Sequence, residues 1–348
     1  MLAITVRDLL FRWRQFAIAI VGAALVFSVA LSLTGMTAGF KAEANATTSS
    51  LGAERWVVPA GVGGPFTSTA LIDESVADQV RALPGVRRAE PVLTFRTSVS
   101  KDGTPANVMV VGYPPGAIKG PAITKGRAVQ RAGEVVADSA LHVGIGHQIV
   151  LGGKTLTVVG KTSGKTVLSG TPAIYLGIAD VQNAVLGGRP VASSVITTGV
   201  PQSVPEGLRA ITNADVEHDL LRPLKQAQAT IANTRLMMWV VAGVIIGMVT
   251  YLAALDRVRD FAVLKAVGSP SRALAFSLSI EAVITSLLAG ALAVVFAKLL
   301  RGIYSLPIVI TATAYLALPV VALLVGLLAS LAALRRTLRV DPALAFGG

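Results

Sequence analysis

Four long apolar runs divide this chain. Phe16 to Phe40 holds no charged residue, and Leu236 to Leu255 is a second such run. Ala273 to Ala297 is a third, broken only by Glu281, and Leu306 to Leu334 is a fourth with Pro319 inside it. A hydrocarbon core of about 30 Å is crossed by roughly 20 apolar helical residues. The pattern therefore predicts an integral membrane α-helical protein with transmembrane helices at 16–40, 236–255, 273–297 and 306–334. Pro319 predicts a kink that neighbouring helices must accommodate. The first run exceeds the ~7–15 apolar residues of a secretory leader, which predicts a retained anchor.

Between the first and second runs the patterning changes. Residues 41–219 are rich in Gly, Pro, Ser, Thr and Asp, and the stretch 41–235 carries 19 basic and 14 acidic residues, an ordinary solvated surface. Arg55 to Val58 reads as a strand. Asp73 to Leu83 reads as a helix, with Val76, Ala77, Val80 and Leu83 on one face and a stop at Pro84-Gly85. Pro91 to Ser100 and Asn107 to Tyr113 flank Lys101-Asp102-Gly103-Thr104, a hairpin signal. Gln148 to Leu151 and Thr155 to Gly160 form a second hairpin around Gly152-Gly153, and Thr171 to Leu176 and Ala192 to Thr198 are further strands. The mixture predicts an α+β domain inserted between helices 1 and 2.

That domain is followed by a predicted stalk at 220–235. Leu220, Leu224, Ala227, Ile231, Thr234 and Met238 alternate at spacings of four and three, a coiled-coil period running into the second span. One continuous helix from about Leu224 to Leu264 would be roughly 60 Å long. It is either a rigid rod that transmits motion or a stalk that merely packs on its partner.

Composition agrees with this picture. The 348 residues are 53% hydrophobic and only 14% charged, against about 25% in soluble domains, and the mean hydropathy is +0.67. The formal charge of +12 could suggest nucleic acid, but twelve of the 31 Lys and Arg flank the apolar runs, where they act as topology anchors. Ten of these precede the first run, lie between the second and third, or follow the fourth; only Lys298 and Arg301 lie between the third and fourth. The bias puts residues 1–15, 256–272 and 335–348 in the cytoplasm and 41–235 outside.

Candidate chemistry is sparse. The chain has no cysteine, which excludes disulfides and thiolate chemistry. Gly160-Lys161-Thr162-Ser163-Gly164-Lys165-Thr166 imitates a phosphate-binding loop but has three residues between its glycines where the motif needs four; it reads as a hairpin loop. His142, His147 and His218 lack a ligand pattern. No catalytic, cofactor or metal site is expected on this chain.

Several residues nonetheless carry structural meaning. In the 256–272 loop Val258, Phe261, Ala262 and Leu264 form an apolar strip, while Arg257, Arg259 and Lys265 are expected to stay polar. Gly268 suits a C-terminal cap, Ser269 an N-cap and Pro270 the first turn of the next helix. The segment reads either as an interfacial helix on anionic lipid or as a docking surface for a cytoplasmic protein. Gly243 and Gly247 form a small-xxx-small pair that permits close helix approach, within one subunit or between two. Ionised at mid-membrane, Glu281 would cost about 2.5–3.5 kcal/mol, which predicts structural pairing or, alternatively, a role in transport.

In order along the chain, four segments resemble the FtsX-like/MacB-type permease family of ATP-binding-cassette systems. Asp256 to Pro270, with its Leu264-Lys265-Ala266-Val267-Gly268 turn and Glu281 downstream, is similar to the family's charged loop. Val80-Arg81-Ala82-Leu83-Pro84-Gly85-Val86, leading to strands that end at Val110-Val111-Gly112-Tyr113-Pro114, resembles the start of the periplasmic core domain. Gly144 to Gly153 with Val158-Val159-Gly160 resembles its later hairpin, and Val340-Asp341-Pro342-Ala343-Leu344-Ala345 the closing motif. Spans two and three also resemble DevC-type exporter permeases. The outer segment is short beside that of large tripartite efflux permeases.

The resemblance implies a bacterial inner-membrane permease subunit that is not itself an enzyme. Arg257, Arg259, Phe261, Leu264, Lys265, Gly268 and Ser269 would form the loop that couples to a cytoplasmic ABC ATPase subunit, the chain on which ATP and Mg bind. Two copies, or this chain and a paralogue, would pair in the bilayer, with an extracytoplasmic adaptor as a further partner. The implied mechanism is mechanotransmission that exports or extracts a substrate. The alternative is a regulator that couples the ATPase to an extracytoplasmic hydrolase without transport.

Overall fold

The structure, a computed structural model, describes residues 13–116, 120–164, 166–258, 260, 262–263, 267, 270–300 and 308–338. The chain divides into two compact units, one formed by Phe40–Gln226 and the other by Met1–Gly39 with Ala227–Gly348.

Helix α1 (Trp13–Ser50) opens the described chain and is followed by β1 (Arg55–Pro59), β2 (Ile72–Asp73), α2 (Val76–Arg81), β3 (Val86–Lys101), β4 (Thr104–Tyr113), β5 (Lys125–Gly126) and β6 (Glu134–Asp138). Then come β7 (Gln148–Leu151), β8 (Lys154–Thr162), β9 (Thr166–Val167), β10 (Thr171–Gly177), α3 (Ile178–Val185), β11 (Val191–Ala192), β12 (Ser194–Gly199), β13 (Leu208–Ile211) and α4 (Asn213–Leu221). Among the described residues three long helices follow: α5 (Lys225–Asp256), α6 (Ser271–Leu300) and α7 (Ala312–Leu338).

The strands of Phe40–Gln226 form one large sheet in the order β13-β1-β12-β3-β4-β10-β6-β8-β5, with β7 on β3 and β8 and β9 on β10; β2 and β11 pair separately. Most pairs are antiparallel, while β4–β10 and β6–β8 are parallel. Both hairpins expected from turn chemistry are present. Lys101 pairs with Thr104 around Asp102 (φ 50°) and Gly103 (φ 78°), and Leu151 with Lys154 around Gly152 (φ 55°) and Gly153 (φ 82°). Positive φ at both central residues gives the turn twist that matches flanking strands.

Side chains alternate between the two faces of the sheet with the period of two that a pleated strand imposes. Val57, Val108, Val110, Ile174 and Leu176 join Ala77 and Val80 of α2 and Val181 of α3 in one core. Trp56, Val58, Met109, Val111, Ala173 and Tyr175 join Ala44 at the end of α1, Leu51, and Val216 and Leu220 of α4 in the other. The chain therefore enters and leaves this unit on one face of the sheet. Trp56 is tied to the exit, since its Nε1 donates to Asn213 Oδ1 at 2.8 Å and Asn213 Nδ2 donates to the Ala53 carbonyl at 3.0 Å.

Strand β6 was not anticipated by the sequence reading. All five of its residues are buried, so it lacks the alternation that marks a half-exposed strand. Its first residue is held by charge: the Glu134 carboxylate accepts from Arg127 and from the Gln130 and Arg131 amides at 2.9 and 3.2 Å. The hydrogen bond from Arg127, followed by the two amides, outweighs burial and holds this carboxyl down to about 2 from the usual 4.5. A group with a depressed folded value contributes stability above its unfolded value and loses it as pH falls through the folded one. Acid unfolding of the full chain, followed by the fluorescence of fully buried Trp56, should therefore steepen between pH 4.5 and 2. Glu134→Gln is expected to flatten that limb; an unaltered limb would exclude Glu134 as its source.

Among the described residues, four helices are long and apolar enough to cross a membrane. Each departs from its sequence-based boundaries. Helix α1 runs ten residues past Phe40 to Ser50, α6 spans Ser271–Leu300 and α7 begins at Ala312. The helix predicted from about Leu224 to Leu264 begins where expected and is corrected at its C-terminal end. It starts at Lys225, after a 3-10 turn at Arg222–Leu224 that contains Pro223, and ends at Asp256. Proline lacks an amide hydrogen and its ring crowds the preceding turn, so α4 stops before it. At 1.5 Å per residue α5 is about 48 Å long.

Candidate functional site

In the membrane unit the spans pack through small residues. Gly326 of α7 meets Ala282 and Val283 of α6 so closely that an added Cβ would lie 2.9 Å from Val283 Cα. Ser286 Oγ donates across to the Ala322 carbonyl at 2.6 Å, and Ser279 Oγ meets Ser330 Oγ at 3.2 Å. Small contact residues and interhelical hydroxyl bonds are how helices associate where lipid offers no hydrophobic drive. Gly247 of α5 approaches α7 at Ala329, and Gly243 lies against Val325. Both glycines of the small-xxx-small pair thus serve packing inside this chain.

At the end of α5 lies a buried ion pair. Arg257 Nη2 donates to both carboxylate oxygens of Glu281 at 2.8 and 2.7 Å, and Arg257 Nε donates to the Ala253 carbonyl at 3.0 Å. The carboxylate is fully buried and the guanidinium nearly so. The bond to Ala253 satisfies one of the carbonyls that every helix leaves open at its C-terminus, where a cation is also favoured by the helix dipole. The sequence reading kept Arg257 among the polar residues of the loop; the structure buries its guanidinium against Glu281. It is turned inward because Glu281, from 24 residues downstream, is buried opposite it. The remaining loop residues singled out from the sequence, Arg259, Phe261, Leu264, Lys265, Gly268 and Ser269, lie outside the described residues.

The four stalk residues lie along one helical run, Asn213–Asp256, that a 3-10 turn at Arg222–Leu224 interrupts. Leu220 belongs to α4 and is buried in the core under the sheet, Leu224 is in the 3-10 turn, and Ala227 and Ile231 lie on α5. Ala227 is exposed and Ile231 buried.

Two buried carboxylates that the sequence reading passed over fasten the helices entering and leaving the inserted domain. Glu43 of α1 is 6% exposed and accepts from the Ser169 and Gly170 amides, both at 2.9 Å. Leu168, Ser169 and Gly170 all have positive φ, at 51°, 72° and 93°. This conformation turns successive amides toward one point and forms a small anion-binding concavity. Asp219 of α4 is 1% exposed and accepts from the Phe66 and Thr67 amides at 3.2 Å and from the Thr67 hydroxyl. Gly63 and Gly64 crowd it so closely that a Cβ at Gly64 would lie 2.6 Å from its carboxylate. An acid just beyond an apolar run is the only signal the sequence offers for Glu43.

An apolar helix bundle that begins with one span, admits a β-rich domain and resumes with three more defines a permease-type membrane subunit. The profile of the MacB-like periplasmic core domain matches residues 16–214, and that of the FtsX-like permease C-terminal region matches residues 235–342. An uncharacterized ABC transporter permease of Mycobacterium bovis is 38% identical over 348 residues, covering 100% of both chains. A second uncharacterized ABC transporter permease, from Mycobacterium tuberculosis, is 36% identical with the same coverage. Among solved structures, the periplasmic region of MacB from Actinobacillus actinomycetemcomitans aligns with 13% identity and a TM-score of 0.37, covering 50% of this chain and 95% of that one. The chain belongs to the FtsX-like, MacB-type family of ABC transporter permeases.

Proposed function

We propose that this chain is the membrane half of a mechanotransmission-type ABC transporter that exports or extracts its substrate with energy from a separate cytoplasmic ATPase. The charge bias sets both termini and the loop after α5 in the cytoplasm and the inserted domain outside. Two such subunits, identical or paralogous, work with two ATPase chains, on which ATP and Mg bind.

The observation that carries this reading is the course of α1. Its 38 residues measure about 57 Å, nearly twice the hydrocarbon thickness. Its far end is part of the inserted domain's core, where Glu43 holds the 168–170 turn. A helix fastened in this way passes a displacement on. The mostly apolar composition of the spans argues against a wide polar channel, which favours a substrate taken from the membrane or from outside.

The test is made in vesicles that contain the chain and a cognate ABC ATPase. Inserting Gly-Gly-Gly after Thr230 in α5 should preserve membrane insertion and ATP hydrolysis while abolishing ATP-dependent movement of solute, lipid or lipoprotein. Undiminished movement would remove α5 from the transmission path. If the parent chain moves nothing yet activates an extracytoplasmic hydrolase, the regulator reading replaces transport.

A further inference from the structure

A cavity of about 790 Å³ runs along one face of the membrane unit. Its walls are Leu236, Trp239, Val240, Val244, Met248 and Tyr251 of α5 together with Val325 and Leu328 of α7, and Gly243 and Gly247 form part of its floor. Nearly all of the lining is apolar. At the N-terminal end of this stripe stands Arg235, whose guanidinium lies 5.5 Å from the centre of the Trp239 ring. Trp239 also lines a second, smaller cavity of about 170 Å³ with Arg235, Thr34 and Leu318.

Arg235 is unusual in this setting. Among the described residues it has no ion pair, and its Nε is buried without a hydrogen-bond partner. A guanidinium in apolar surroundings ordinarily finds a carboxylate or phosphate, which it matches with paired N–H donors. The spans supply few candidates: between Leu236 and Leu255 there is no acid at all, and Glu281 is taken by Arg257. The charge that completes Arg235 is therefore expected from outside the chain.

We propose that the α5–α7 groove holds the acyl chain of an anionic amphiphile drawn from the leaflet at the N-terminal end of α5, with Arg235 binding its headgroup. The cavity volume suits an alkyl chain, and the glycine floor lets that chain lie close to the helix backbone. Trp239 stands between the two parts, its ring on the groove and its face toward the cation, as an amphipathic side chain does at a membrane boundary. The site requires neither ATP nor a second subunit, so it stands or falls apart from the transport reading.

The chain has three tryptophans, and Trp56 is sealed in the inserted domain's core. In a Trp13→Phe background, quenching of the full-length chain in lipid nanodiscs by acyl-brominated lipid therefore reports on Trp239. Brominated phosphatidylglycerol should quench at a several-fold lower mole fraction than brominated phosphatidylcholine. Arg235→Gln should abolish that preference, and Val244→Phe, which fills the groove at a position 62% exposed, should reduce quenching by both lipids. Equal quenching by the two lipids in the parent would mean ordinary annular contact and overturn the proposal. Because the chain has no native cysteine, Val244→Cys tests the other occupant directly. High-yield disulfide dimers with no quenching would show a second copy seated in the groove, and would equally overturn it.

Discussion

Replacing Glu281 by Gln is expected to destabilise the membrane unit by about 3–5 kcal/mol, because it removes the buried carboxylate whose two oxygens both accept from the Arg257 guanidinium. The geometry sets the size of the effect. Both carboxylate oxygens accept from one guanidinium nitrogen at 2.8 and 2.7 Å, and neither side chain reaches solvent to any useful extent. An exposed pair would contribute at most about 1 kcal/mol; a buried one costs much more to break than it contributes when intact, since the orphaned ion cannot rehydrate. Arg257→Met should be as harmful. The double variant Arg257→Met/Glu281→Met removes both charges and should recover most of the loss. Thermal unfolding in detergent, read by tryptophan fluorescence and checked by protease resistance in membranes, should rank the double variant near the parent and both single variants well below. Equal stability of Glu281→Gln and the parent would show that the pair is not a structural fastening. A double variant that is stable yet fails to move substrate would assign the pair a part in the working cycle as well.

The sequence made this site half legible. Glu281 stands out because a single acid in a run of 25 apolar residues must find a partner, but sequence spacing cannot say which cation, 24 positions away, turns inward to meet it. Arg257 looked like any other basic residue beside a membrane span. The same asymmetry runs through the fold. The four spans and the two tight hairpins were readable because composition and turn chemistry are local signals: apolar stretches of 20 or more residues with at most one charge, and Asp102-Gly103 or Gly152-Gly153 where positive φ is required. Strand β6 was not, since a strand buried on both faces shows no period. The break between α4 and α5 was overlooked for a different reason. Pro223 was present to mark the 3-10 turn, but the four-and-three spacing from Leu220 to Ile231 runs through it without a gap. What locks the domain together, Glu43 on 168–170 and Asp219 on 66–67, depends on partners more than 120 residues distant, which no local pattern encodes.

The fastening of α1 gives the second large effect. Glu43→Ala should leave the Ser169 and Gly170 amides without an acceptor in a place that is largely closed to water, at a cost of about 1–3 kcal/mol for each donor left unmet. The 168–170 turn should respond first, because Leu168 and Ser169 hold positive φ without the conformational freedom of glycine, a strain that persists only while neighbouring contacts enforce it. Hydrogen exchange at those amides should rise by at least tenfold in the variant, while strands β3 and β4 in the middle of the sheet stay protected. Glu43→Gln retains one carbonyl acceptor and should fall between the alanine variant and the parent. The functional consequence separates fastening from mere folding. If α1 delivers motion to the inserted domain through this carboxylate, Glu43→Ala will still insert and its partner ATPase will still turn over, but ATP-dependent movement of substrate will drop by an order of magnitude or more. Loosened amides with undiminished substrate movement would show that Glu43 only stabilises the domain, and that transmission runs through α5 and the Asp219 contact instead.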